Sequence, residues 1–180
     1  MLEEIHLTWS DIYHIKHLDV VPNSPGIYLW LFNVDGELIP YYVGKSSNIR
    51  KRLGDHFSCL IGGLYDIYPM ADIRKFVKYK RDKAGLIYCP TSDLKLLEFA
   101  EQFDFIRPHL ENMIKSFFFT FAPYEHKRED INESSALQDI EKSIISMIGF
   151  DNLSNTNGGD FYYFNVHHKP PSQIKQYFKN

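Results

Sequence analysis

The sequence predicts one domain in which helices and strands are mixed, and three observations predict it. Segments with apolar residues at helical spacing alternate with β-branched and aromatic runs, Asp35-Gly36 joins two of those runs as an antiparallel hairpin, and no repeat, linker or low-complexity tract divides the 180 residues. With 44% hydrophobic and 16% aromatic residues, the chain has enough apolar material for a real core.

Taken in order, Ser10 can cap a first helix, "SDIYHIKHL", with a partial apolar face of Ile12, Ile15 and Leu18, ended by Pro22 and Pro25. "GIYLWLFNV" and "ELIPYYVG" then read as the two strands of the Asp-Gly hairpin. Ser46 or Ser47 can cap the helix "NIRKRLGDHF", where Ile49, Leu53 and Phe57 form the buried stripe while Arg52 and His56, four apart, share a face. "IRKFVKYK" and "AGLIYCP" read as strands around the turn "RDKAG". Thr91 to Asp93 can cap a long helix through "LKLLEFAEQFDFI", ended near Pro108. "SFFFTFAPY" is a strongly apolar strand. Ser134 or Ser135 can cap "ALQDIEKSIISMI", whose stripe is Leu137, Ile140, Ile144 and Ile148, with Gly149 as its stop and Glu141 beside the stripe. The tail supplies an edge strand and a short helix.

Charge and composition exclude several classes. No run approaches the roughly 18 apolar residues of a membrane span, and the acidic start "MLEEIH" is unlike a secretory leader, so a cytoplasmic protein is expected. Cys59 and Cys89 are too few for a disulfide framework. The net charge of -3 opposes non-specific coating of nucleic acid, but residues 45 to 83 hold ten basic and four acidic side chains, a local +6 on a body of -9. Such a sector suits one face gripping a polyanion; a solvated lysine-rich surface is the plainer reading of charge alone.

The ordered set Gly26-Ile27-Tyr28, hairpin, Tyr42-Val43-Gly44-Lys45, Arg52 and His56 resembles the GIY-YIG nuclease superfamily, over residues 25 to 57 and more loosely over 116 to 157. Val43 replaces the usual isoleucine without changing shape or hydrophobicity. The resemblance implies an α+β fold, a small and mostly antiparallel central sheet flanked by helices, within a single domain 1–180. Its core would be about 22–57 and 116–165, with an insertion at about 58–115. It also implies an enzyme, a metal-dependent endonuclease hydrolysing phosphodiester bonds in DNA, with Mg2+ or Mn2+ as cofactor. RNA as substrate and a homodimer are left open, as is a binding module that keeps the scaffold without hydrolysis.

By the same resemblance each residue has a role in the chemistry. Tyr28 and Tyr42 would face the scissile phosphate, one of them positioning or deprotonating the attacking water. A phenol of ordinary pKa near 10 needs adjacent positive charge for that, which Lys45 could give. Arg52 would stabilise charge on the phosphate through its fork of donors, and His56 would assist by hydrogen bonding or proton transfer. Strand alternation would turn the competing Tyr41 to the other face. Singly, each of these residues is an ordinary sheet aromatic, surface charge or helix histidine; jointly, at this spacing, they are not.

The family's metal-binding glutamate has two placements. Glu141 follows a strand and precedes an Asn-rich turn, with Asn155, or failing that Asn157, as the matching polar residue; Glu98 or Glu101 stands on a comparable helix. The strand that leads in favours Glu141. One carboxylate suffices for a hard cation that keeps its waters and binds substrate oxygens. Arg50, Lys51, Arg74, Lys75, Lys78, Lys80 and Arg81, interleaved with Phe76 and Tyr79, would lie along the nucleic-acid backbone. His14 with His17 and His167 with His168 lack companion ligands, and no zinc is assigned.

Overall fold

The hairpin dominates the architecture because its first strand is apolar on both faces. The computed structural model describes residues 3–78, 85–90, 95–155, 159–160 and 163–179. Strand β1 (Glu3–Thr8) is followed by the two-residue β2 (Tyr13–His14), then by β3 (Gly26–Val34) and β4 (Glu37–Ser46), which form the hairpin. Its turn residues Asp35 and Gly36 both take positive φ (52° and 87°), as the Asp-Gly signal requires. Helix α1 (Ile49–Ile61) follows, then α2 (Ile73–Lys78), α3 (Lys95–Glu101) and α4 (Phe103–Ser116). Strand β5 (Phe117–Pro123), helix α5 (Glu133–Ile148) and strand β6 (Phe164–Lys169) complete the order.

The central sheet runs β2-β5-β3-β4 and is antiparallel throughout, while β1 and β6 form a separate parallel pair. Along β3 the period-two alternation divides the core. Tyr28, Trp30 and Phe32 join α1 and α4 on one face; Ile27, Leu29 and Leu31 join α5 and β6 on the other. The α5 stripe of Leu137, Ile140, Ile144 and Ile148 is fully buried there, as its spacing predicts. Because β4 is an edge strand, groups from α1 on one face and from α5 on the other reach the same margin of the sheet.

Several local expectations are corrected. The helix expected from Ser10 is replaced by β2 and a 3-10 turn over Ile15–Val20; its apolar face is too narrow to bury a helix, and Tyr13 and His14 pair with Phe119 and Phe118 instead. "IRKFVK" is helical, with Ile73 and Val77 buried one turn apart. The described residues of "AGLIYCP" contribute an isolated bridge between Tyr88 and Ile67; residues 81–84 of the expected turn "RDKAG" and the expected cap at 91 to 93 lie outside the described residues. The long helix is two, α3 and α4. Pro108 sits inside α4 at its sixth residue, where the hydrogen bond its N–H would have made to the carbonyl four residues back is forgone. Asn48, not a serine, caps α1 by accepting from Lys51 N at 2.9 Å, and Asn132 caps α5 by accepting from Ser135 N at 2.8 Å.

Tyr41 is the correction that matters most for function. A β-bulge pairs Trp30 with Tyr42 but Leu31 with Pro40, leaving Tyr41 as the extra residue. Alternation therefore breaks, and Tyr41 lies on the same face as Tyr42, stacked on Trp30 with ring centroids 6.1 Å apart. Pro40 is tolerated because the bulge and the strand edge ask no ladder hydrogen bond of it.

Candidate active site

Packing on β3 and β4 sets the site. Tyr28 is buried and lies across Gly44, its register partner: a Cβ on Gly44 would stand 2.2 Å from the Tyr28 ring. The first and second motif elements are thus one steric unit, in which the glycine exists to seat the tyrosine. Gly26 is equally constrained, since a Cβ there would meet Ala122 O at 2.4 Å.

Helix α1 brings His56 and Arg52 onto this face. The Tyr28 hydroxyl and His56 Nε2 are 2.8 Å apart, and His56 Nδ1 is 2.5 Å from the Tyr65 hydroxyl, giving a Tyr28–His56–Tyr65 chain. Trp30 meets the imidazole edge-on at 4.6 Å. Burial, with the Arg52 cation beside it, lowers His56 to about 4, so the ring is neutral at pH 7. Burial likewise raises the Tyr28 phenol above its usual range, and Tyr42 adds to this while Arg52 opposes it. Tyr42, its ring 6.4 Å from that of Tyr28, is raised by burial and by Glu141, and Arg52 again opposes the shift. Tyr65 is pushed up to about 12 by burial.

Glu141 approaches this group from α5. Burial raises its carboxyl to about 7, against the pull of Lys45 and Lys142. Among the described residues it accepts no hydrogen bond. A half-buried carboxyl without a donor is short of positive charge, which a divalent cation fits; no cluster of three or more His, Cys, Asp or Glu occurs among the described residues, so such an ion would depend on Glu141, water and substrate oxygens. Lys45 points its Nζ to Ser134 O at 3.4 Å, near the start of the same helix.

The remaining candidates divide. Asn155 is buried and clamps β4: Oδ1 accepts from Val43 N at 3.0 Å, and Nδ2 donates to Val43 O at 2.7 Å. Ser154 N donates to Tyr41 O at 2.6 Å, so this short segment pins the bulge that aims Tyr41 and Tyr42. Asn157 lies outside the described residues. Glu98 and Glu101 stand on α3, where Glu98 acts on Tyr88 and on none of the tyrosines of this site. Arg50 spends its guanidinium on backbone, donating to Val21 O at 2.5 Å and Asp19 O at 2.7 Å, and Arg74 pairs with Glu37. Lys51 and Lys75 are exposed. The Lys78 side chain, Tyr79, Lys80 and Arg81 lie outside the described residues. His14 is occupied by Lys16 N and Lys115 O, and His167 by Glu4. Sequence reasoning missed Tyr65, Trp30 and Ser154, none of which carries a spacing signal.

A tyrosine pair, an arginine and a neutral histidine thus meet at the edge of an antiparallel hairpin, faced by a carboxyl from α5. Residues 24–86 match the family model described as the GIY-YIG catalytic domain. The curated proteins similar to it include the UvrABC system protein C of Koribacter versatilis (strain Ellin345), 45% identical over 42 residues. That alignment covers 23% of this chain and 6% of the relative. The UvrABC system protein C of Deinococcus radiodurans is 41% identical over 44 residues, 24% of this chain and 6% of the relative. The chain therefore spans about 6% of the length of these curated relatives. No solved structure matches it significantly. No helix among the described residues is long and apolar enough to cross a membrane.

Proposed function

We propose that the chain is a divalent-metal-dependent endonuclease that hydrolyses phosphodiester bonds in DNA. The observation that carries this reading is the convergence of Tyr28, Tyr42, Arg52 and His56 with a single unpartnered carboxyl, Glu141, at one sheet edge. Residues 58–115 are read as an insertion that walls this site.

In the proposed reaction Arg52 binds the scissile phosphate, its forked donors countering the charge that builds on phosphorus oxygens. The tyrosine hydroxyls orient the attacking water. His56 is neutral and its Nε2 lies 2.8 Å from the Tyr28 hydroxyl, so it can accept a hydrogen bond from that hydroxyl and hold the phenol oxygen in position for the water. Tyr65 fixes the ring from the other nitrogen. A Mg2+ or Mn2+ ion held at Glu141 would supply positive charge to the phosphoryl and leaving oxygens. Asn155 acts at one remove, by holding the β4 backbone on which Tyr42 is carried.

Supercoiled plasmid and branched DNA incubated with Mg2+, Mn2+ or EDTA test the reading, with wild type beside Glu141→Gln and Glu98→Ala. Metal-dependent nicking lost in Glu141→Gln and kept in Glu98→Ala is expected. A folded wild type that binds DNA but leaves it intact in every metal would replace the nuclease with a binding module.

A further inference from the structure

Beside the candidate catalytic group lies an open cavity of about 540 Å³, most of whose lining the chemistry above does not use. It is continuous with the site, because Tyr42, Arg52 and His56 form part of its lining. Its depth is aromatic: Trp30, Phe32, Tyr41, Tyr65 and Tyr68 present rings, and Met113 adds a thioether. Two of these rings are fixed by their hydroxyls, Tyr65 on His56 at 2.5 Å and Tyr68 on Tyr41 at 2.9 Å. Tyr41 is there only because of the bulge, and Tyr65, Tyr68 and Met113 all come from the segment 58–115.

We propose that this cavity receives one unpaired or extruded nucleobase of the strand whose phosphate lies at Arg52. The assignment rests on the nuclease reading. Charge is divided as a nucleotide requires, for among the described residues of the lining the cation is Arg52 of the catalytic group, whereas the interior offers ring faces and hydroxyls. A planar neutral ligand is what rigid aromatic walls hold best, and enzymes that take a base out of its stack read it by stacking and edge hydrogen bonds. Asp66 in the lining and the tyrosine hydroxyls supply such polar edges. Trp30 Nε1, buried with no hydrogen-bond partner, belongs to the same wall. The volume falls within the range of small-ligand pockets and exceeds what one base fills. The inferred substrate class is therefore DNA with a base already unpaired, or easily unpaired, next to the cut.

Two otherwise identical duplexes test this, one with a single unpaired adenine and one with an abasic nucleotide at the same position. Trp9→Phe leaves Trp30 as the chain's sole indole. In EDTA, the adenine duplex should quench Trp30 and bind about tenfold more tightly than the abasic one, the scale of one base stacking on aromatic side chains. The wild-type chain reads the same quench over a Trp9 that lies in the opposite core cluster. With Mg2+, cleavage should show the same preference, and Leu64→Trp, which fills the partly exposed rim, should reduce it at least threefold. Equal affinity, or a preference without quenching of Trp30, would overturn the pocket while leaving the nuclease reading intact. Failure to bind or cut either duplex would overturn both.

Discussion

Replacing Glu141 by glutamine tests whether the carboxyl is as starved of positive charge as its surroundings imply. Unfolded, this group titrates near 4.5; folded, burial raises it to about 7. Between those values unfolding releases a proton, so stability falls as pH rises from 4.5 through 7, and the whole penalty is present above 7 and absent below 4.5. The difference amounts to about 3 kcal/mol, and solvent at the exposed edge of the carboxyl should reduce it to about 2. Glu141→Gln removes the charge but keeps the shape. Without metal, the variant should match wild type at pH 4.5 and melt roughly 4–8 °C higher at pH 8. Mg2+ should then stabilise the wild type at pH 8, by about 2.7 kcal/mol at a hundred times its Kd and so raise its melting temperature, and leave the variant unmoved. Thermal denaturation followed by circular dichroism across pH 4.5–8, with and without Mg2+, measures both. Parallel curves for the two proteins would mean that the carboxyl is solvated, and the metal-site argument would fall with it.

Other consequences can be checked separately. Gly44→Ala should displace Tyr28, because the new Cβ has no room against its ring; nicking should drop at least tenfold while the chain still folds, as followed by circular dichroism. Asn155→Ala strands the amide and carbonyl of Val43 and should cost about 2–4 kcal/mol in urea denaturation, with lower activity through the loosened bulge. His56, ordinarily near 6.5 and lowered to about 4, should stay neutral in NMR titration down to pH 5; its contribution to stability is complete above 6.5 and declines as pH falls toward 4. Neutralising Lys75, Lys78, Lys80 and Arg81 together should weaken DNA binding and reduce the salt slope by about one for each phosphate that is no longer neutralised, read from affinity at several salt concentrations.

Local chemistry is what the sequence makes legible. The Asp-Gly hairpin, the α5 stripe and the spacing from Arg52 to His56 follow from period and turn preference, and they suffice to bring Tyr28, Arg52 and His56 to one face. Glu141 is legible only by resemblance, since nothing in "IEKSI" tells of the sheet edge that draws it toward Tyr42. The failures share a cause. Strict alternation sends Tyr41 to the wrong face, because one inserted residue reverses it and no signal in "LIPYYVG" apart from Pro40 marks the insertion. "IRKFVK" satisfies helical and strand periods alike, so packing of Ile73 and Val77 decides it. Sequence proximity groups the basic residues together, whereas Arg50 turns back to cap carbonyls of the preceding loop and Arg74 seeks Glu37, leaving the positive sector weaker than its count suggests. The bulge is where these effects converge on function. It is held by Ser154 and Asn155 from one side and filled by Trp30 from the other, and it converts an edge strand into a surface carrying two adjacent tyrosines. If Tyr42 serves the phosphate and Tyr41 the cavity, as proposed, a change that erased the bulge would separate cleavage from substrate choice.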